Sequence, residues 1–297
     1  MTACGICGGD GLVPMFQARD ENFHTTDELF TIERCPVCGA AQTIPPAAVH
    51  QVGSYYPQSY YPTVVLDASR YERNIGRFQK EKLDFVRRFR SGGKLLDIGC
   101  GAGYFLREVV RAGFDAEGVE LSREAAEFGR TQWGLRIAEG DALSVSLPEA
   151  SYDVITMWQV LEHVLNVRET LNKVHALLRP GGILVVAVPN IGSWQARLFR
   201  GRWYHLDVPR HQFHFDPSTL RTLLGEHGFS VVGESRRSAE HNWAGIMGSM
   251  IEFSPPRITQ AGKAFRRFIA RPLAGTASWI EEMLGSGGTF TLSAERR

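Results

Sequence analysis

Residues Leu95–Leu106, LLDIGCGAGYFL, constrain this chain more than any other stretch. An apolar run closes on an acid, Asp97. Glycines follow at alternate positions, Gly99, Gly101 and Gly103, and an apolar, helix-competent segment, Tyr104–Arg111, comes next. That order is a strand, a tight turn and the first turn of a helix, the layout of a nucleotide-type ligand site in an α/β sheet. The dinucleotide fingerprint places its third glycine one residue later, where Tyr104 stands. Asp97 also weighs against a pyrophosphate, which a carboxylate repels, and suits a ligand carrying an ammonium and a sulfonium.

The flanking pattern predicts an alternating α/β domain. A helix within Tyr71–Arg90 leads into a strand over Lys94–Ile98, and a helix over Tyr104–Ala112 stops at Gly113. A second strand, Ala116–Leu121, carries Glu120, whose carboxylate suits two ribose hydroxyls. A third, Leu135–Ala138, leads to Asp141, and a fourth, Tyr152–Met157, is a continuous apolar run of the buried parallel type. A helix over Asn166–Leu178 and an R-P-G-G turn precede a strand at Ile183–Pro189. Helix Pro217–His227 and strands Phe229–Glu234 and Thr289–Ala294 complete the pattern.

Over roughly residues 70–297 these features resemble the class I S-adenosylmethionine-dependent methyltransferases. The resemblance implies a Rossmann-like seven-stranded sheet whose last strand is antiparallel and lies between the fifth and sixth. It implies S-adenosylmethionine as co-substrate, held by Asp97, Gly99, Gly101, Gly103, Glu120, Asp141 and Gln159, with Asp141 meeting the adenine amino group.

Gln159-Val160-Leu161-Glu162-His163-Val164 follows the fourth strand, at the carboxyl edge where ligands bind. In similar small-molecule methyltransferases a histidine here is a general base. The related ubiquinone-pathway enzymes carry E-x-x-E-H with a metal implied, but Gln159 replaces the first acid and an amide is a poor divalent ligand. His163 is therefore the leading candidate base, against a structural role for the Glu162-His163 pair. Residues 191–215 read as an aromatic- and histidine-rich lid with His211 and His214 as rival bases, His211 standing second to His163; a packed lid with satisfied histidines is the alternative. No D/N-P-P-aromatic motif follows the fourth strand, which excludes the amino-methylating DNA enzymes.

Five cysteines are present, four of them in two C-x-x-C pairs: Cys4, Cys7, Cys35 and Cys38. Two residues between thiolates let both sulfurs face one point, and four sulfurs satisfy a structural zinc ion. The expected organisation is a zinc module at 1–45, a proline- and tyrosine-rich linker at 46–70, and the methyltransferase domain at 71–297 with an insert at 238–287. Residues Pro256–Pro272 hold five basic side chains and no acid, which reads as a solvated helix face or as a peripheral membrane contact. A net charge of +1 gives little support to a nucleic-acid partner. The chain lacks a signal-peptide pattern and an apolar run of spanning length, so a cytoplasmic enzyme is expected. The expected acceptor is a small molecule, a hydroxyl of a saccharide, glycoconjugate or natural product. The alternatives are a ribosomal-RNA base methyltransferase and an inactive S-adenosylmethionine-binding protein. The oligomeric state is not legible.

Overall fold

In the computed structural model residues 3–47, 49–57, 76–250 and 270–297 are described. The chain opens with three short strands, β1 (Val13–Ala18), β2 (Phe30–Arg34) and β3 (Ala41–Ile44), followed by a single helical turn at Val49–Val52. Helix α1 (Gly76–Arg87) leads to β4 (Lys94–Ile98), and α2 (Tyr104–Arg111), β5 (Asp115–Glu120), α3 (Arg123–Trp133), β6 (Ile137–Glu139) and β7 (Tyr152–Trp158) follow. Next come α4 (Val167–Leu177), β8 (Leu178–Pro189), α5 (Trp194–Phe199), β9 (Phe213–His214), α6 (Pro217–Glu226) and β10 (Phe229–Ser235). Two further helices, α7 (Ala239–Met250) and α8 (Arg271–Leu284), precede the last strand, β11 (Thr289–Arg296). The described residues form two compact units. One comprises 1–57, 188–220 and 235–291, the other 58–187, 221–234 and 292–297.

The second unit is built on a mixed seven-stranded sheet in the order β10-β11-β8-β7-β4-β5-β6. The last strand in sequence therefore sits between the fifth and sixth of the sheet, as the motifs led one to expect. Neighbours from β8 through β6 run parallel, so their apolar runs are covered on both faces. Leu95, Val154, Ile183 and Val185 pack with Leu83 and Val86 of α1 and Phe105, Leu106 and Val109 of α2 in one buried cluster. Each such side chain contributes about 1.5–3 kcal/mol by leaving water. The R-P-G-G segment is not a free turn before β8. Tyr152 pairs with Leu178 and Val154 with Ile183, so Arg179–Gly182 bulge out within the strand, with Gly181 at φ +73°. Ser122 accepts the Ala125 N–H and caps α3, and Asp216 accepts the Thr219 N–H ahead of α6.

The first unit holds a four-stranded sheet, β1-β2-β3-β9. Residues far apart in sequence meet there: Ala41 pairs with His214 and Gln42 with Phe213. The core beneath comprises Phe30, Ile32 and Ala41 together with Ile191, Ala196, Trp203, Leu206 and Val208. Helices α7 and α8 belong to the same unit, where Ile246 and Met247 pack against Ala270 and Ala274. Tyr55 is buried there; Tyr60, Tyr61 and residues 256–269 of the basic stretch lie outside the described residues. No described helix is long and apolar enough to cross a membrane.

Candidate functional site

The glycine turn joins β4 to α2 at the carboxyl end of the parallel strands, and its three glycines do different things. Gly99 is left-handed (φ +69°), and a Cβ there would stand 2.5 Å from Val160. Gly103 is also left-handed (φ +78°), and its Cβ would stand 2.5 Å from Leu135. Both positions are closed by the protein itself. Gly101 is left-handed too (φ +56°), yet nothing lies within 4 Å of its Cβ position. It is the open point of the cradle, where a ligand can approach bare backbone.

Two acids flank that point. Glu120, at the end of β5, accepts the Gly101 N–H through Oε2 at 2.8 Å and the Ser122 N–H through Oε1 at 2.8 Å. A carboxylate offers about four lone-pair sites, so these N–H groups leave acceptor capacity for a hydroxyl of a ligand. Burial raises its pKa against the pull of those N–H groups. Asp97 is buried at the end of β4, opposite Thr156 in the β4–β7 register. The Thr156 hydroxyl donates to its Oδ1 at 2.6 Å. Burial pushes the Asp97 carboxyl up to about 7, opposed by Thr156 and Lys82 and reinforced by Glu120. A buried carboxyl poised there gains most from a cationic ligand.

The remaining expected donor residues lie on the same edge of the sheet. Asp141 follows β6 and is exposed; its Oδ1 accepts the N–H groups of Leu143 and Ser144, both at 2.8 Å. Gln159 follows β7 at φ +57°, a left-handed backbone without glycine, held by its N–H donating to Ala187 O at 2.8 Å. Backbone of this kind persists only where its surroundings hold it, and it gathers at functional sites. His163 ends the single 3-10 turn Leu161–His163 that follows, half-buried beside the buried Glu162.

The three histidines of the 191–215 segment are all buried, within the first unit. His211 Nδ1 lies 2.9 Å from the His205 carbonyl, which only accepts. Nδ1 therefore carries a proton, and Nε2 lies 3.9 Å from Asp207 Oδ2. His214 sits in β9 with Nε2 3.0 Å from Thr43 Oγ1, and burial pushes its pKa down to about 3. His205 is likewise pushed down to about 3 by burial and by the neighbouring His241 ring, while the His241 carbonyl, 2.7 Å from its Nε2, pulls the other way. Two of the three are thus neutral side chains fixed in the packing of this segment.

A strand order, a glycine cradle and paired acids of this kind have a counterpart among known proteins. The family profile described as "Methyltransferase domain" matches residues 70–234. The chain belongs to the methyltransferase-domain family. Among the relatives of this chain, the ubiquinone biosynthesis O-methyltransferase of Maricaulis maris is 32% identical over 152 residues, 47% of this chain and 60% of that protein. The malonyl-[acyl-carrier protein] O-methyltransferase of Serratia marcescens is 28% identical over 171 residues, 57% of this chain and 65% of that protein. The chain thus spans less than two thirds of the length of these relatives. A solved SAM-dependent methyltransferase from Archaeoglobus fulgidus shares the fold with a TM-score of 0.52 at 18% identity, covering 76% of this chain and 97% of that one.

The chain also brings its four N-terminal cysteines together. Cys4 and Cys38 Sγ lie 3.7 Å apart, Cys7 and Cys35 Sγ 3.6 Å, and all four sulfurs fall within 4.8 Å of one another. They are free thiols. Ile6 N–H points at Cys4 Sγ and Gly9 N–H at Cys7 Sγ, each at 3.4 Å, while Gly8 and Gly39 close the two knuckles at φ +71° and +80°.

Two features were missed in the sequence. Thr156 reads there as one more residue of an apolar strand, although an aliphatic hydroxyl amid the apolar residues of YDVITMW, at the register of Asp97, was its signal. Arg210 is fully buried in the first unit. Its Nη1 donates to Asp20 Oδ2 at 3.1 Å and Tyr55 O at 3.0 Å, its Nε to Asp207, and its guanidinium lies 4.6 Å over the Phe23 ring. Nothing local in the sequence pairs Asp20 with Arg210.

Proposed function

We propose that this chain transfers the methyl group of S-adenosylmethionine to a hydroxyl of a small-molecule acceptor, a saccharide, glycoconjugate or natural product. The observation that carries the donor assignment is the open Gly101 backbone between two buried acids. Asp97 suits the cationic end of the donor and Glu120 the ribose diol, with Gly101 giving the close approach and Gln159 and Asp141 closing the edge. The names of the relatives support an oxygen acceptor, since both are O-methyltransferases.

The donor supplies an electrophilic methyl on a positively charged sulfur. The protein has to hold the acceptor in line and take up its proton. His163 is the proposed base: it follows β7 at the ligand edge, and an unperturbed imidazole titrates near pH 6.5. His211 is the second candidate. The four cysteines fit a structural zinc ion. The edge of a ZnS4 tetrahedron with Zn–S of about 2.3 Å is about 3.8 Å, and the paired sulfurs lie at 3.6 and 3.7 Å. All four positions are taken by protein sulfur, so such an ion holds the module and takes no part in transfer.

The test combines calorimetry with turnover. S-adenosylhomocysteine should bind, and Asp97→Ala or Glu120→Ala should each weaken it by more than about tenfold. With a turned-over hydroxyl acceptor in hand, His163→Ala should lower turnover about a hundredfold or more while leaving donor binding intact. Unchanged affinity in both acid variants would overturn the donor assignment. Unchanged turnover would remove His163 from the mechanism.

A further inference from the structure

Helix α8 is turned inside out. Its buried positions are small or polar: Ala274, Ser278 and Glu281. Its large apolar side chains face away from the protein, with Leu273 55% exposed, Trp279 60%, Ile280 43%, Met283 68% and Leu284 72%. At about 100° per residue these five fall within one arc of about 140°, along about 16 Å of helix. The inner arc packs on α7, where Ala274 meets Ile246 and Met247. A helix that only stabilised the unit would present the opposite arrangement, since burying small residues and wetting large ones forfeits most of the available burial energy. A contiguous apolar patch of this kind marks an interaction surface.

The chemistry of what covers it is set by charge. The sequence running into this helix, Pro256–Pro272, carries Arg257, Lys263, Arg266, Arg267 and Arg271 and not one acid. An anionic bilayer meets both demands: hydrocarbon for the leucine, isoleucine and methionine, headgroup depth for the indole, and negative charge for the adjoining cations. The one acid of this helix whose side chain is described, Glu281, is buried on the inner arc and so does not oppose contact.

We propose that the outward face of α8, Leu273, Trp279, Ile280, Met283 and Leu284, is a docking surface for an anionic lipid bilayer, on which the protein lies without crossing it. The assignment is independent of the identity of the methyl acceptor.

The experiment is sedimentation of the full chain with phosphatidylcholine vesicles, with and without phosphatidylglycerol. The protein should pellet with the anionic vesicles and, at equal lipid, bind those of phosphatidylcholine alone at least about tenfold more weakly. Brominated acyl chains should quench part of the tryptophan emission. The double variant Met283→Glu/Leu284→Glu changes two exposed side chains, so it keeps the fold. It should lower vesicle binding by about tenfold or more, with S-adenosylhomocysteine affinity unchanged as the check on folding. No pelleting with anionic vesicles overturns the proposal, and so does pelleting that the double variant leaves intact. A lipid-free dimer that the double variant dissolves to monomer also overturns it, because the face then belongs to a second copy.

Discussion

Asp97 combines two properties that pull against each other: it is buried, and the role proposed for it requires a charge. With its carboxyl pushed up to about 7 by burial, the unliganded protein holds this proton more tightly than the unfolded chain, whose aspartates titrate near 3.9. Its contribution to stability is therefore present in full below about pH 4 and is lost as the pH rises through about 7. A cationic donor reverses the preference, because it favours the carboxylate. Donor affinity should then rise from pH 6 to pH 8 by several-fold, up to about tenfold, and the melting temperature gained on donor binding should grow over the same interval. Calorimetry at the two pH values checks this, and Asp97→Asn should flatten the slope. The strand, turn and helix that carry Asp97 and the glycines were legible because they are contiguous, within Lys94–Arg111, and Glu120 because it closes the next strand. Thr156 was not, because its hydroxyl reaches Asp97 only through the pairing of β7 with β4, 59 residues apart in sequence.

At the scale of elements, the cysteine knuckles and β9 belong together. Gly5 of the first knuckle donates its N–H to Gln42 Oε1 at 2.9 Å, and a Cβ on Gly5 would stand 2.9 Å from the Phe213 ring. Gln42 pairs with Phe213, Thr43 donates its hydroxyl to His211 O at 2.7 Å, and the Thr43 N–H donates to Gln212 O at 3.0 Å. The edge of the N-terminal sheet is thus the support on which residues 211–214 rest. Metal removal by a chelator should therefore raise amide hydrogen exchange in two places at once, across β1–β3 and across residues 205–219, with the glycine loop at 98–104 unchanged. Unaltered protection of 205–219 in the metal-free protein would break the link. The strands of the larger sheet are legible from their apolar runs, most of them to within a residue or two. A two-residue strand such as β9 is not, since its hydrogen bonds lie with β3 and its own sequence, rich in histidine and aromatics, reads as a lid. The cysteine pairs announce their geometry but not what they hold up.

At the scale of the whole molecule, the first unit gathers three separate stretches of chain around one buried cation. The Arg210 side chain is 0% exposed and is shared between Asp20 and Asp207, with the Tyr55 carbonyl as a further acceptor. Removing one partner of such a set costs about 3–5 kcal/mol, because the other charges stay buried and unpaired. Arg210→Met should lower the midpoint of urea unfolding accordingly. Replacing both acids as well, Asp20→Asn and Asp207→Asn, should recover part of the loss. A single variant as stable as the parent would show that the cluster holds nothing together. The pairing of β3 with β9 has a further consequence during synthesis. The edge of β3 emerges with no partner, and Phe213 and His214 follow about 170 residues later, which at 5–20 residues per second is a wait of roughly 10–30 s on the ribosome. For that interval a nascent sheet edge stands open to any passing strand. The knuckles beside it are already complete by then, so with the proposed zinc ion cellular metal supply sets how orderly that edge is while it waits.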